Sequence, residues 1–378
     1  VSSVDALRGA GRLLGGLAAV ARDRLRTAND VPAGIDGVDV RWLDAALRDR
    51  GTRVLGVRRL GEHSGTTTRA RLALDYAERA GLADTLFLKI TPASLPQRVF
   101  GHVMRLGAME VRFYRTLRRD LPVRAPEVVL ARASVDGARF VLLLEDLSHC
   151  RFVDVGARVS PDEARAVMRA LARLHAHYWE SPRFSADLAW LRCLENRGRD
   201  LPLERFLTTQ MVKAAVRRYG DAMPDAFRAA ARLVCERRDA LEARWAEGPR
   251  TLVHGDCHVG NLFFEGDAVG FLDWQVLARA PGVRDVAYFL CNSLPTESRR
   301  EHEEALVGLY REALLEAGIE APARESLWMQ YRSFALYAWL AAAFTAGAGG
   351  LQSERIARAG LERTTRALVD LETVDLLA

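Results

Sequence analysis

The stretch LVHGDCHVGNLFFEGDAVGFLDWQ, residues 252–275, limits what this chain can fold into more than any other part of it. Its apolar residues fall into three short runs, Leu252-Val253, Leu262 to Phe264 and Val269 to Leu272, that read as strands, with Gly266-Asp267 as a turn between the last two. Asp256, Asn261 and Asp273 are then left at strand ends and in the connecting loop. Polar side chains held there by rigid neighbours face a cleft, and clefts are where ligands are bound and reactions run.

The rest of the chain divides into two regions. After helical material to about Leu47, TRVLGVRRL and TTRARLALDY read as strands around GEHSGT, and TLFLKIT as a third. Together they predict a small antiparallel sheet. A helix is expected from about Val99 to Leu117, and RFVLLLEDL supplies another strand. From Ser160 onward the pattern is mainly helical. SPDEARAVMRALARLHAHYW opens with Ser160 as N-cap, Pro161 at the first helical position and Glu163 completing a capping box, with 164, 167, 168, 171, 174 and 178 on one apolar face. PDAFRAAARLVCERRDALEARWAEGP reads as a second long helix, and further helices begin near 283, 298 and 325. With 378 residues, 49% of them hydrophobic, there is material for two joined cores.

Of 54 basic residues only Lys89 and Lys213 are lysines, and Lys89 sits in the middle of an apolar strand. A buried lysine is costly unless paired. In the next helix Val99, Val103, Leu106, Phe113 and Leu117 trace one face, and Glu110 fills the gap on it. The phase predicts a Lys89–Glu110 ion pair; the alternative is that Lys89 extends to solvent and Glu110 lies at the edge of its face.

A net charge of +5 is spread along the chain without a basic block or interleaved aromatics, so a phosphate-bearing small molecule fits at least as well as nucleic acid. Five cysteines at 150, 193, 235, 257 and 291, with no C-x-x-C pair, argue against a disulfide framework and make the reduced cytoplasm the expected compartment. LLGGLAAVA at 13–21 is closed by RDRLR without a cleavage site and reads as an amphipathic helix, and no run approaches the length of a membrane span.

In order along the chain stand a hairpin with a glycine-containing loop, a strand lysine, a helix glutamate, H-x-D-x-x-x-x-N and a later strand-end aspartate. This series resembles the protein-kinase-like fold. HGD and DWQ at its two motifs, with EVRFYRTL at 110–117 and LLLEDL at 142–147, make the chain similar to the aminoglycoside phosphotransferase and choline kinase-like branch. The resemblance covers roughly residues 50–350. It implies an α+β, bilobal fold with a small antiparallel-sheet N-lobe and a larger, mainly helical C-lobe. The expected divisions are a helical extension over 1–50, a nucleotide-binding lobe over 51–148 and a lobe over 149–378 carrying the catalytic loop and the acceptor site.

The implied activity is transfer of the γ-phosphate of ATP, with Mg2+, to a hydroxyl of a small molecule, GTP being the other candidate donor. Phosphoryl transfer needs mainly positioning and charge neutralisation. On that basis Asp256 is the base or the residue that positions the hydroxyl, and Asn261 and Asp273 are the magnesium ligands, supplying hard oxygens. Lys89, oriented by Glu110, holds the α- and β-phosphates, and backbone N–H groups of Ser64, Gly65 and Thr66 cover them. The backbone around Glu145 to Leu147 meets the purine edge. Asp285 is expected to brace the catalytic loop, and His254 and Cys257 to have no chemical role. The partners are nucleotide and alcohol, without nucleic acid or membrane. Two rival classes remain: a catalytically silent kinase-like binding protein, and a metal-dependent hydrolase using His254, Asp256 and His258.

Overall fold

The computed structural model describes residues 3–24, 30–154, 158–193, 201–350 and 352–378. Helices α1 (Ser3–Arg24) and α2 (Val40–Leu47) come first. Strands β1 (Arg53–Ser64), β2 (Thr68–Glu78) and β3 (Thr85–Ile90) are followed by α3 (Leu95–Val103), α4 (Leu106–Thr116), β4 (Val128–Ala133) and β5 (Phe140–Glu145). The remainder is mostly helical: α5 (Pro161–His177), α6 (Leu201–Tyr219), α7 (Asp225–Glu236) and α8 (Arg238–Trp245). Short strands β6 (Thr251–Val253), β7 (Leu262–Glu265), β8 (Ala268–Phe271) and β9 (Ala278–Ala280) lead into α9 (Val283–Ser293). Helices α10 (Thr296–Glu316), α11 (Arg324–Ala348), α12 (Glu354–Asp370) and α13 (Thr373–Leu377) complete the chain. The fold is α+β and bilobal, as expected.

β1 to β5 form one antiparallel sheet in the order β1-β2-β3-β5-β4, and alternation along its strands separates two cores. Leu86, Leu88 and Ile90 of β3, with Val141 and Leu143 of β5, pack on the α2 side with Leu43 and Leu47. Phe140, Leu142 and Leu144 face the other way, into the large core shared with α4 and the helical region. Lys89 lies opposite Leu142 in the register, so it shares that second face. The strand pattern alone therefore turns the lysine toward α4.

Several elements differ from expectation. The helix predicted over 99–117 is two helices, because Arg105 adopts φ +55° between α3 and α4. The carbonyl of Met104 released by this break accepts a hydrogen bond from Arg192. The helix predicted over 224–249 is likewise divided, at Arg237. Strand β4, helix α6 and the three-residue β9 were not anticipated. The α5 start matches: Glu163 donates its N–H to Ser160 Oγ at 3.2 Å, and Ser160 donates its own to the Glu163 carboxylate at 2.7 Å.

α1 touches both lobes. Gly9 packs against Phe206 of α6, and Gly16 against Val103 of α3. At its end Asp23, fully buried, receives Arg98 at 3.1 Å and Arg139 at 2.6 Å. Among the described residues no helix is long and apolar enough to cross a membrane.

Candidate active site

Lys89 is 4% exposed and Glu110 is 1% exposed. The lysine Nζ stands 2.6 Å from Glu110 Oε2 and 2.9 Å from Asp273 Oδ1. The ion pair read from helical phase is present, and the aspartate 184 positions downstream joins it. Arg69, opposite Lys89 across the β2–β3 ladder, reaches Asp273 Oδ2 at 3.5 Å. Two cations side by side on one sheet face are balanced by the buried Glu110 carboxylate and the half-buried Asp273 carboxylate. Burial pushes the Glu110 carboxyl above its usual range, more than the Lys89 charge pulls it back. Burial also acts to raise Asp273, but there Lys89 and Arg69 together overcome it and hold that carboxyl low.

Asp273 owes its place to its backbone and to its neighbour. It has φ +61°, a left-handed conformation that aspartate tolerates better than most side chains. Trp274, next in sequence, is buried and stacks on Phe113 with ring centroids 4.4 Å apart. Phe113 lies three residues after Glu110 on α4, so one helix face fixes both the lysine's partner and the aspartate's neighbour.

The catalytic-loop candidates form a second bonded set. Asn261 Nδ2 donates to the Asp256 carbonyl and to its Oδ2, each at 2.9 Å. The Tyr288 hydroxyl donates to Asp256 Oδ1 at 2.7 Å, and burial together with that carboxylate raises the phenol well above its ordinary value, so it stays a donor. Below the loop, Asp285 accepts the N–H groups of His254 at 2.6 Å and Gly255 at 2.9 Å, and His175 stands 3.5 Å away. Gly255 has φ +86°, and a Cβ there would lie 2.5 Å from the Val276 carbonyl, which makes glycine the residue this turn accepts. His254 donates from Nε2 to the Leu272 carbonyl at 2.7 Å and accepts the Asp256 N–H at Nδ1. Its two nitrogens are spent on bracing the loop. Burial pushes the Cys257 thiol far up, with Asp285 and Asp256 adding to it, so it is no nucleophile at neutral pH.

A cleft of about 330 Å3 runs between the lobes, lined by Lys89, Glu110, Asn261 and Asp273 and by Glu145, Asp146 and Leu147 of the linker. The Glu145 N–H is taken by the Glu127 carbonyl, and its carboxylate by Arg124 at 2.6 Å. The Leu147 carbonyl accepts from Cys150, while its N–H has no protein acceptor among the described residues. Ser64, Gly65 and Thr66 sit at the tip of the β1–β2 hairpin and are not among the residues lining the cleft; the Gly65 N–H is used on Thr67 at 3.0 Å. Sequence reasoning missed Arg69, Arg71, Asp146 and Tyr288. Arg71 spans from β2 to Asp146 at 2.8 Å, tying the sheet to the linker. Tyr288 was findable: on α9 it stands three residues after Asp285, one turn further along the same face.

A divalent metal fits this donor set. Asp273 and Asn261 both line the cleft and offer carboxylate and amide oxygens, the hard ligands magnesium takes. The hydrolase arrangement is not formed: among the described residues the group whose possible ligand atoms all lie within 4.8 Å of one another is His149, Cys150 and Glu265, not His254, Asp256 and His258.

A sheet lobe, a helical lobe and a cleft between them that unites Lys89, Glu110 and Asp273 define the protein-kinase-like class, and the family match places the chain in its small-molecule branch. Residues 64–320 match the ecdysteroid kinase-like family, and the chain belongs to that family. No curated protein matches the sequence. The fold is similar to that of a microcompartment-associated aminopropanol kinase, with TM-score 0.53 and 15% identity over 88% of this chain and 97% of that one. It is similar to a spectinomycin phosphotransferase in complex with ADP and spectinomycin, with TM-score 0.51 and 12% identity over 89% and 99% of the two chains. It also resembles a candidate aminoglycoside phosphotransferase from Ralstonia eutropha, with TM-score 0.53 and 15% identity over 88% and 97%.

Proposed function

We propose that this protein transfers the γ-phosphate of ATP to a hydroxyl of an uncharged small molecule, with Asp256 as the base. The observation that carries this is the Lys89 ammonium between Glu110 at 2.6 Å and Asp273 at 2.9 Å, in a cleft that also reaches Asn261. In that cleft Lys89 binds the α- and β-phosphates, and Glu110 orients it. The Leu147 N–H is the donor we assign to the purine edge, with Leu144, Phe87 and Leu272 around the ring. Asn261 and Asp273 would hold magnesium, which supplies neutralisation of phosphate charge. The Ser64–Thr66 turn is proposed to cover the phosphates.

Asp256 sits between this cleft and a second cavity. Its carboxylate bonds Asn261, and it lines a space with Tyr288, Asn292, Thr345, Gln352 and Ile356. Apart from Asp256 and His258, that lining is neutral among the described residues. A polycationic acceptor would need carboxylates there, whereas an uncharged alcohol would not. The family's likeness to ecdysteroid kinases agrees with such an acceptor. Asp256 accepts the hydroxyl proton as the oxygen attacks the γ-phosphorus, the bond from that phosphorus to the bridging oxygen breaks and ADP leaves with it, while Tyr288 and Asn261 hold the two carboxylate oxygens in place.

The test is phosphate transfer from ATP and from GTP to a set of neutral and cationic alcohols, read by mass spectrometry. The comparison protein is Asp256→Asn. Wild type is expected to phosphorylate neutral alcohols. The variant is expected to bind nucleotide within a few-fold of wild type and to lose about a hundredfold or more in kcat. A wild type that binds nucleotide and transfers nothing would favour a silent binding protein; a fully active variant would remove Asp256 from the role.

A further inference from the structure

A second charged cavity, of about 70 Å3, lies among α8, β9 and α11, away from the nucleotide cleft. Arg192, Arg238, Arg279 and Arg284 line it with Tyr337, and Glu242 is the one carboxylate of its lining among the described residues. We propose that this cavity binds a small oxyanion, a phosphate or carboxylate group, through Arg284 and Arg238.

Arg284 carries most of the argument. It is 8% exposed, and among the described residues no carboxylate bonds to it directly; Asp285 faces it only through space. Its guanidinium makes one hydrogen bond, to the Tyr337 hydroxyl, and lies over the Tyr337 ring at 4.2 Å. Its Nε is buried without an acceptor. Asp285, the next residue, spends its oxygens on the N–H groups of His254 and Gly255. Arg238 gives Nε to Glu242 at 2.5 Å but has a buried Nη1 with no acceptor. Glu242 is itself shared with Arg205 at 2.5 Å, so one carboxylate serves two cations. Arg192 pairs with Glu204, and Arg279 donates to Cys193 of the same lining; both add positive potential.

A buried guanidinium that keeps its charge is stabilised by an anion that accepts its remaining N–H bonds, and its planar fork matches the oxygens of carboxylate and phosphate. The space suits a group of roughly phosphate size and excludes a nucleotide. Tyr337 separates it from the proposed acceptor cavity: its ring is 6.4 Å from that of Tyr288, whose hydroxyl bonds Asp256. A Cβ on Gly255 would come within 3.4 Å of Arg284 Nη2, so the site lies directly behind the catalytic loop. Neutralising Arg284 there steadies the turn that presents Asp256.

The test is calorimetric titration of the full chain with inorganic phosphate, its nucleotide cleft saturated with a non-hydrolysable ATP analogue. Saturable binding at one site per chain is expected. Arg284→Gln should weaken it at least tenfold and Arg238→Gln several-fold, with Lys89→Met unchanged. The thermal midpoint should rise with phosphate in wild type and not in Arg284→Gln. Binding that is absent in wild type, or unaffected in the folded Arg238→Gln variant, overturns the proposal even if Arg284→Gln fails to fold. These readouts need no turnover, so they stand apart from the proposed reaction. A kinetic arm then separates two roles: a change in kcat for a neutral alcohol on adding phosphate identifies a free effector. A kcat unchanged by phosphate, with saturable binding intact, identifies an anion that stabilises the fold without regulating transfer.

Discussion

Tyr288 shows how much one hydroxyl can govern. It donates to Asp256 Oδ1 at 2.7 Å, holding the carboxylate in the rotamer that lines the proposed acceptor cavity. Tyr288→Phe removes a hydrogen bond to a charged group, worth about 1.5–3 kcal/mol. We expect kcat to fall about tenfold or somewhat more while nucleotide affinity stays unchanged; an unaltered kcat in single-turnover transfer would contradict this. Asp285 makes a different kind of contribution. Burial acts to raise its carboxyl, but His175, His254 and Arg284 overcome that and hold it below the usual range. A carboxyl depressed in the folded state adds stability above its unfolded value of about 3.9, and that stability is lost as pH falls through the lower folded value. The thermal-midpoint gap between wild type and Asp285→Asn should therefore be widest above about pH 4 and shrink below it. A gap independent of pH would assign the loss to packing. Of the site residues, those with a signature in the chain were legible: a lysine where arginine is the rule, and HGD, Asn261 and Asp273 at fixed spacing. Arg69 and Arg71 were not, because two arginines in an arginine-rich strand carry no local mark of what they meet.

At the scale of elements, α4 does the most. It turns Glu110 to Lys89 and Phe113 to Trp274, coupling the sheet lysine to the Asp273 turn. Phe113→Ala should cost about 3–5 kcal/mol of stability, as for other buried aromatic truncations. It should also raise the nucleotide KM through loss of the stack beneath Asp273, whereas urea unfolding alongside kinetics would show a loss of stability alone if the stack has no part in positioning. The face of this helix was readable although its continuity was not. Apolar phase survives the break at Arg105 because α3 and α4 pack on the same core, whereas a left-handed arginine whose preceding carbonyl is bonded by Arg192 depends on tertiary contact. Strand β4 is another matter. VVLARA followed by Asp136-Gly137 is a strand with a hairpin turn, and Gly137 has φ +70°, so the signal was present and overlooked. The three residues of β9 pair with β6 and have too little pattern to be read alone.

Across the whole molecule the two-lobe plan followed from the order of strand-rich and helix-rich stretches, but the course of α1 did not, since its partners lie far along the chain. Asp23 is the joint that fixes it, between Arg98 and Arg139. Asp23→Ala takes the carboxylate from two buried guanidinium groups, a change of the kind that costs about 3–5 kcal/mol. The urea midpoint should drop accordingly, with the catalytic groups intact and kcat at low temperature preserved; an unchanged midpoint would show that α1 adds nothing to the fold. The contacts of α1 with α3 on one side and α6 on the other have a mechanical meaning as well. Sheet and helical region are joined in series through the linker after β5, and α1 works as a second spring in parallel with it. Two springs in parallel are stiffer than one, so prising the halves apart stretches both, and a nucleotide leaves through a narrower range of angles than a single hinge would allow.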